Sequence, residues 1–278
     1  MGPVPVGKRA LQQMVKLTAA GRDALSHPSP GLVVLIYHRV GTGSGLEVDL
    51  PAPLFEAQMA ALAETGRVVD LATGLAYLNA GDPNQPYPAP IAVTFDDGTA
   101  DFVDIALPIL ARHQLPVTLY AATEFIDEGR SFPNDGRPAS WAGLADAVAT
   151  GLVTIGSHTH RHRLLDRLQP PEVDDELDRS IGLIGDHLGL KVTDFAYPKA
   201  VPGSAYADQA VRARFQSAAL AGTRANLIGQ TDRYRLSRSP VQRSDETRWF
   251  LKKADGGLRL EDTLRRGLNR LRYARATA

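Results

Sequence analysis

Two short polar clusters each interrupt an apolar run. Thr94-Phe95-Asp96-Asp97-Gly98 follows Ile91-Ala92-Val93, and Ser157-His158-Thr159-His160-Arg161-His162 follows Leu152-Val153-Thr154-Ile155. Together they offer two carboxylates and two histidines at metal-ligand spacing, a donor set that leaves coordination positions open for water and substrate. His158 and His162 are four apart, so a helical turn would bring both imidazoles to one side. His160 lies off that face and reads as a surface or supporting residue. Asp96 and Asp97 are adjacent and on a regular strand would face opposite ways, so both serve one site only if the chain turns, and Gly98 supplies the turn. One carboxylate can then bind a cation while the other takes a proton from water, the division of labour of metal-assisted hydrolysis. Taken singly, each cluster has a plainer reading: a solvated turn for Asp-Asp-Gly, surface histidines for the second.

Two further strand ends carry polar groups. Tyr37-His38-Arg39 closes the run from Leu32, where a lone histidine is ordinarily a satisfied buried group. Tyr197-Pro198 closes Asp194-Phe195-Ala196, and its loop can offer backbone N–H groups to an oxyanion, with Phe195 and Tyr197 packed in the core.

Positioning these groups requires strands that end on one face. Apolar runs at Leu32–Tyr37, Arg67–Leu71, Ile91–Phe95, Val117–Ala121, Leu152–Ile155, Asp194–Tyr197, Ser217–Ala221 and Tyr234–Ser237 read as strands. Helical periodicity marks 7–26, Leu54–Glu64, Ala106–His113, Trp141–Thr150, Glu172–Leu188 and Ala207–Phe215 between or before them. Such alternation implies a parallel α/β sheet covered on both sides, and seven or eight units favour a barrel, whose chemistry sits at the carboxyl ends of the strands. The expected organisation is a peripheral N-terminal helix in 1–30, one barrel over 31–250, and a basic amphipathic helix in 251–278. That last helix has Arg265, Arg266, Arg270 and Arg272 beside Leu260, Leu264, Leu268 and Leu271. Docking of those leucines on the barrel is the ordinary reading, and peripheral contact with an anionic membrane is the alternative.

Composition narrows the partners. Lys plus Arg equals Asp plus Glu at 31 each, which gives no sign of nucleic-acid binding. The 278 residues contain no cysteine, so any metal is held by histidine and carboxylate. No signal-peptide h-region and no 18-residue apolar run is visible, so a cytoplasmic location is expected.

The order of the motifs resembles that of the polysaccharide deacetylases, carbohydrate esterase family 4. The matching stretches are Tyr37-His38-Arg39-Val40, Thr94-Phe95-Asp96-Asp97-Gly98, Ser157-His158-Thr159-His160-Arg161-His162 and Phe195-Ala196-Tyr197-Pro198. What the resemblance implies is a distorted (β/α)7-8 barrel, a divalent metal, zinc being the expected ion, and removal of an N-acetyl group from an amino sugar. It assigns Asp97, His158 and His162 to the metal, Asp96 to the base, and the N–H after Pro198 to the oxyanion, so that Tyr197, Pro198 and Lys199 bound the oxyanion and substrate subsite. The histidine that many members carry near the end of the barrel is absent, since no histidine follows His187. Leu236-Ser237-Arg238-Ser239-Pro240 instead resembles a branch with arginine there, which implies His38 as the acid for the leaving amine and Arg238 as the neighbour that orients Asp96 and keeps it ionised. Lys199-Ala200 departs from the Tyr-Gly usual in the family. Lys199 reads as a solvated loop residue, with an anionic substrate group as the alternative. The expected substrate is an oligosaccharide, glycolipid or small glycoside. Hydrolysis of a non-sugar amide, or a carbohydrate-binding barrel without catalysis, are the competing readings.

Overall fold

In the computed structural model the residues described are 14, 16–19, 21, 31–82 and 88–259. Seven parallel strands, β1 (Gly31–Tyr37), β2 (Ile91–Phe95), β3 (Val117–Ala121), β4 (Val153–Ser157), β5 (Asp194–Ala196), β6 (Ser217–Ala219) and β7 (Ser239–Pro240), pair in the order β7-β1-β2-β3-β4-β5-β6. The last gap is spanned by the chain leading into β7. Leu236 bridges Ala219, and the Gly222 N–H donates to the Arg238 carbonyl at 2.8 Å. The sheet thus curls into the distorted barrel expected from the alternation. A short antiparallel pairing, Asn226–Leu227 with Gly31 and Leu32, adds an eighth strand at the base.

Every residue of β1, β2 and β3 is buried, as a parallel sheet covered on both faces requires. Alternation divides them between two cores. Val33, Leu35, Tyr37, Val93 and Phe95 pack outward with α1 (Ala52–Thr65) through Phe55 and Met59. Leu32, Val34, Ala92, Tyr120, Ala196, Ala219 and Leu236 fill the barrel interior. The same period sends Thr94 of the second strand, and Asp96 and His38 just beyond the second and first, to the inside. Because Ile36 pairs with Thr94 in register, His38 comes beside Asp96 at the open end.

The expected strand over Arg67–Leu71 is reduced to one bridge, Val68 with Ile91. Asp70 accepts the Thr73 N–H at 2.7 Å and starts α2 (Leu71–Ala80), which closes the bottom of the barrel with Leu71 and Leu78. An N-cap aspartate outweighed the β-branched pair before it. The strand expected at Tyr234–Ser237 is likewise only the bridge at Leu236, with the regular pairing beginning three residues later at Ser239. The helix expected from Ala106 begins earlier, as a wide turn at Phe102–Ala106 leading into α3 (Leu107–Arg112). Pro108 has no N–H for the ordinary helical bond there. The remaining helices are α4 (Thr123–Asp127), α5 (Trp141–Ala149), α6 (Pro170–Leu188), α7 (Ala205–Arg214) and α8 (Glu246–Ala254), of which α4 and α8 were not expected. Residues 16–19 are helical, and Lys16 and Lys253 both meet Asp245, at 2.7 and 2.8 Å. The rest of the expected N-terminal helix, and the basic C-terminal helix beyond residue 259, lie outside the described residues. No helix among the described residues is long and apolar enough to cross a membrane.

Candidate active site

The carboxyl ends of β1, β2, β4, β5 and β7 open on a cleft lined by His38, Asp96, Asp97, His158, His162 and Lys199, with Ile36, Ala200, Ala221, Pro240 and Gln242 completing its wall. The turn that brings both aspartates into it starts one residue earlier than glycine chemistry predicts: Asp97 itself has φ +76°, followed by Gly98 at +97°. Asp97 is held in that left-handed conformation by its carbonyl, which accepts the Ala122 N–H at 2.9 Å. The two imidazoles converge differently from the helical turn expected. Residues 158–162 form an irregular loop in which Thr159 (φ +66°) and His162 (φ +57°) are left-handed, and the rings end 4.8 Å apart. Strained backbone of this kind persists only where the surroundings over-determine it, and it concentrates at functional sites.

Those surroundings are specific. His158 is buried and its Nδ1–H donates to the Ala196 carbonyl at 2.7 Å, which fixes the tautomer and leaves the Nε2 lone pair facing the aspartates. Glu176 of α6, fully buried, accepts the Arg161 N–H at 2.7 Å, while its own carbonyl accepts the His160 N–H at 3.0 Å. The helix thereby clamps the loop between the two histidines. His160 is not at the surface: it is 4% exposed and its Nδ1 shares a hydrogen bond with Thr123 Oγ1 at 3.0 Å. Burial, with Arg179 and Arg161 nearby, lowers its pKa to about 4. Burial, then the adjacent His158, lowers that of His162 to about 4 as well, so its imidazole is neutral at ordinary pH, the form that ligates a cation.

The two aspartates differ in their partners. Arg238, fully buried, donates from both terminal nitrogens to Asp96, at 2.6 and 2.9 Å, and its Nε donates to the Leu220 carbonyl at 3.1 Å. Its guanidinium lies 5.0 Å from the Tyr120 ring centre. Tyr120 can pack there because Gly156 has no side chain, since a Cβ would stand 2.6 Å from the ring. Burial alone would raise the Asp96 pKa, but Arg238, supported by His158 and His38, holds it at about 2. Asp97, a fifth exposed, faces the two imidazoles, with Oδ1 at 3.8 Å from His158 Nε2 and 3.6 Å from His162 Nε2.

Asp97, His158 and His162 therefore present ligand atoms within 4.8 Å of one another. Two donors each about 2.1 Å from one tetrahedral ion stand roughly 3.4 Å apart, so the pairs at 3.6 and 3.8 Å need only a small inward shift. An Nδ1–H donated to a backbone carbonyl is also the usual second interaction of a ligating histidine. The residues fit a divalent metal.

His38 lines the cleft beside Asp96. Its neighbours are fixed on either side: Arg39 donates to the Pro133 and Asn134 carbonyls at 2.6 and 2.8 Å, and the Val40 N–H donates to buried Asp101 at 2.7 Å. On the opposite wall, Tyr197 is buried with its ring edge-on to Phe195, and Pro198–Ala200 form a tight turn bonded from Ala200 N–H to Tyr197 O and from Val201 N–H to Pro198 O. That ladder leaves out the Lys199 N–H. Tyr197 and Pro198 shape this wall from behind, and Lys199 and Ala200 are the residues of it that reach the cleft.

Glu176 and Asp101 belong to the site's support and were not anticipated. Glu176 could have been found. The apolar stripe Val173, Leu177, Ile184 places it on the buried face of α6, where an acidic residue needs a reason. Glu176→Gln keeps the shape but weakens acceptance from Arg161, so metal affinity measured by competition with a chelator is expected to fall about tenfold. Unchanged affinity would show that the loop holds without it.

Residues 84–218 match the family model for polysaccharide deacetylase. A curated relative, YxkH of Bacillus subtilis (strain 168), is 26% identical over 191 residues, a stretch that takes in 69% of this chain but 64% of the relative, just under two thirds. Among solved structures, IcaB from Ammonifex degensii superposes with a TM-score of 0.69 at 25% identity, covering 82% of this chain and 98% of that one. The Streptococcus pyogenes deacetylase PplD, solved with acetate, gives a TM-score of 0.70 at 17% identity, over 81% and 99% of the two chains, a likeness of fold.

Proposed function

Because the chain belongs to the polysaccharide deacetylase family, we propose that it is a metal-dependent hydrolase that removes the N-acetyl group from an amino-sugar substrate. The single observation that carries this reading is the pairing of a donor set of two histidines and one aspartate with a second, separately held aspartate beside it. A divalent ion bound by Asp97, His158 and His162, with zinc expected for two imidazoles and one carboxylate, would polarise the acetamide carbonyl and acidify water at the site.

The chain's own groups do the rest. Asp96, ionised and locked by Arg238, takes the proton of the attacking water. Water adds to the amide carbon, and the Lys199 N–H, unused by its own turn, is the backbone donor for the oxygen that gains charge. His38, beside Asp96, gives its proton to the nitrogen as the C–N bond breaks, so that the amine and acetic acid leave and exchange a proton in water, and the proton held by Asp96 passes back to His38 to restore both groups. The cleft wall is apolar at Ile36, Ala221 and Pro240.

The test is acetate release from a panel of N-acetylated sugars, run beside elemental analysis of bound metal. One divalent ion per chain and acetate release that stops on chelation and returns on adding zinc are expected. Release from simple amides but from no sugar would favour a non-sugar substrate, and metal binding without turnover would leave a carbohydrate-binding barrel. His38→Ala is expected to lower kcat about 100-fold with metal content unchanged, since it removes a proton donor and no ligand. Full activity in that variant would end the role given to His38.

A further inference from the structure

The wall opposite His38 has a charge distribution that deacetylation of a neutral sugar does not call for. Lys199 is exposed, lines the same cleft as His162, and makes no ion pair with any described residue. A cation beside a divalent-metal site is electrostatically unfavourable unless an anion offsets it. Its position is also fixed at a cost. Lys199 has φ +53° and Ala200 +55°, two successive left-handed residues that are not glycine, each strained by roughly 1 kcal/mol. The two turn bonds from Ala200 and Val201 hold them there.

The charge continues along the neighbouring chain segments. Residues 195–207, 217–231 and 233–244 contain no Asp or Glu, and they run through the loops that follow β5, β6 and β7. Beyond Lys199 they carry Arg224, three residues after cleft-lining Ala221, and Arg243, next to cleft-lining Gln242. Neither makes an ion pair with a described residue. Of the other cations in these segments, Arg238 is committed to Asp96 and Arg235 to Asp208, while Arg233 lies against the Tyr234 ring. Glu47 reaches this side from the loop after β1, where its carboxylate accepts the Ser244 N–H at 3.2 Å.

We propose that the substrate is an N-acetylated sugar bearing an anionic group, a carboxylate or phosphate, next to the acetamide, and that the Lys199 ammonium recognises it. This rests on the deacetylase reading above and narrows its substrate class. Lys199 then has two parts: its N–H faces the reacting carbonyl, and its side chain sets specificity.

Three disaccharides test it, each with N-acetylglucosamine joined to a second hexose that differs only at C6: hydroxymethyl, carboxylate or phosphate. The wild-type enzyme is expected to favour one or both anionic forms about tenfold in kcat/KM, mainly through KM, an ion pair of ~1.4 kcal/mol, with the preference shrinking as salt rises. In Lys199→Gln the anionic-to-neutral ratio should fall to about one, whatever the variant does to overall rate, and Lys199→Arg should keep most of it. The carboxylate and phosphate arms identify which anion is used. Equal rates on all three in the wild type, or a preference that survives Lys199→Gln, overturns the proposal while leaving the deacetylase reading standing. No acetate from any of them, with metal bound, sinks both.

Discussion

Asp96→Asn is expected to lower kcat for acetate release by about 1,000-fold with the metal retained, the loss typical of a removed general base. Distances alone do not separate Asp96 from Asp97, since His158 Nε2 is 3.7 Å from one and 3.8 Å from the other. Their partners do. Both Asp96 oxygens are taken by the Arg238 fork, which fixes the carboxylate in one orientation and leaves it poorly placed to move toward an ion. Asp97 has no such restraint, sits in a strained turn, and faces both imidazoles. An amide at position 96 can still accept from one Arg238 nitrogen but cannot take a proton from water. Asp97→Asn should do the reverse and lose the metal, read by elemental analysis. If Asp96→Asn emptied the site instead, the two aspartates would have to exchange roles.

The placement of these groups was legible in the sequence because strand periodicity is strict, whereas the roles proposed for them came from the family resemblance. Even-numbered residues of β1 and β2 point inward, so His38 and Asp96 share a face as soon as both strands are recognised. The paired clusters, and Arg238 as a partner for Asp96, were likewise placed by motif order. What escaped were features that depend on contacts far apart in the chain. The loop at 158–162 resembles a helical turn by spacing, and only Glu176 and Ala196 hold it as an irregular one. His160 appeared peripheral because its partner, Thr123, comes from another strand end. Val68 and Val69 read as a strand because β-branching is a local signal, whereas the Asp70 cap decides the next ten residues. Lys199 is exposed, as the reading of a solvated loop lysine expects; what its position in the sequence did not give is the left-handed turn that carries it to the cleft.

Arg238→Ala is expected to be the most destabilising single change at the site, by about 3–5 kcal/mol at neutral pH, because it leaves the Asp96 charge buried and uncompensated. Asp96 is 3% exposed and its other neighbours, two histidines, supply less than a guanidinium does. In the wild-type protein its pKa of about 2 lies below the ordinary 3.8, so the pair's contribution is complete above about pH 4 and is lost as pH falls toward 2. Without Arg238 the burial that now opposes ionisation is unopposed, and the carboxyl pKa moves above its ordinary value. The sign then reverses: protonation relieves the variant while the wild type is still intact. The stability gap between them, from urea unfolding of the metal-free proteins, should therefore be widest near pH 7 and narrow by pH 4. In the metal-loaded enzyme the acid limb of the kcat profile should move up by about one pH unit or more, since the base is now protonated at higher pH. Arg238→Lys restores the charge without the two-pronged grip, so it should recover most of the stability but only part of the rate. A gap independent of pH, or a variant whose acid limb stays in place, would mean that Arg238 serves packing against Tyr120 and does not govern the ionisation of Asp96.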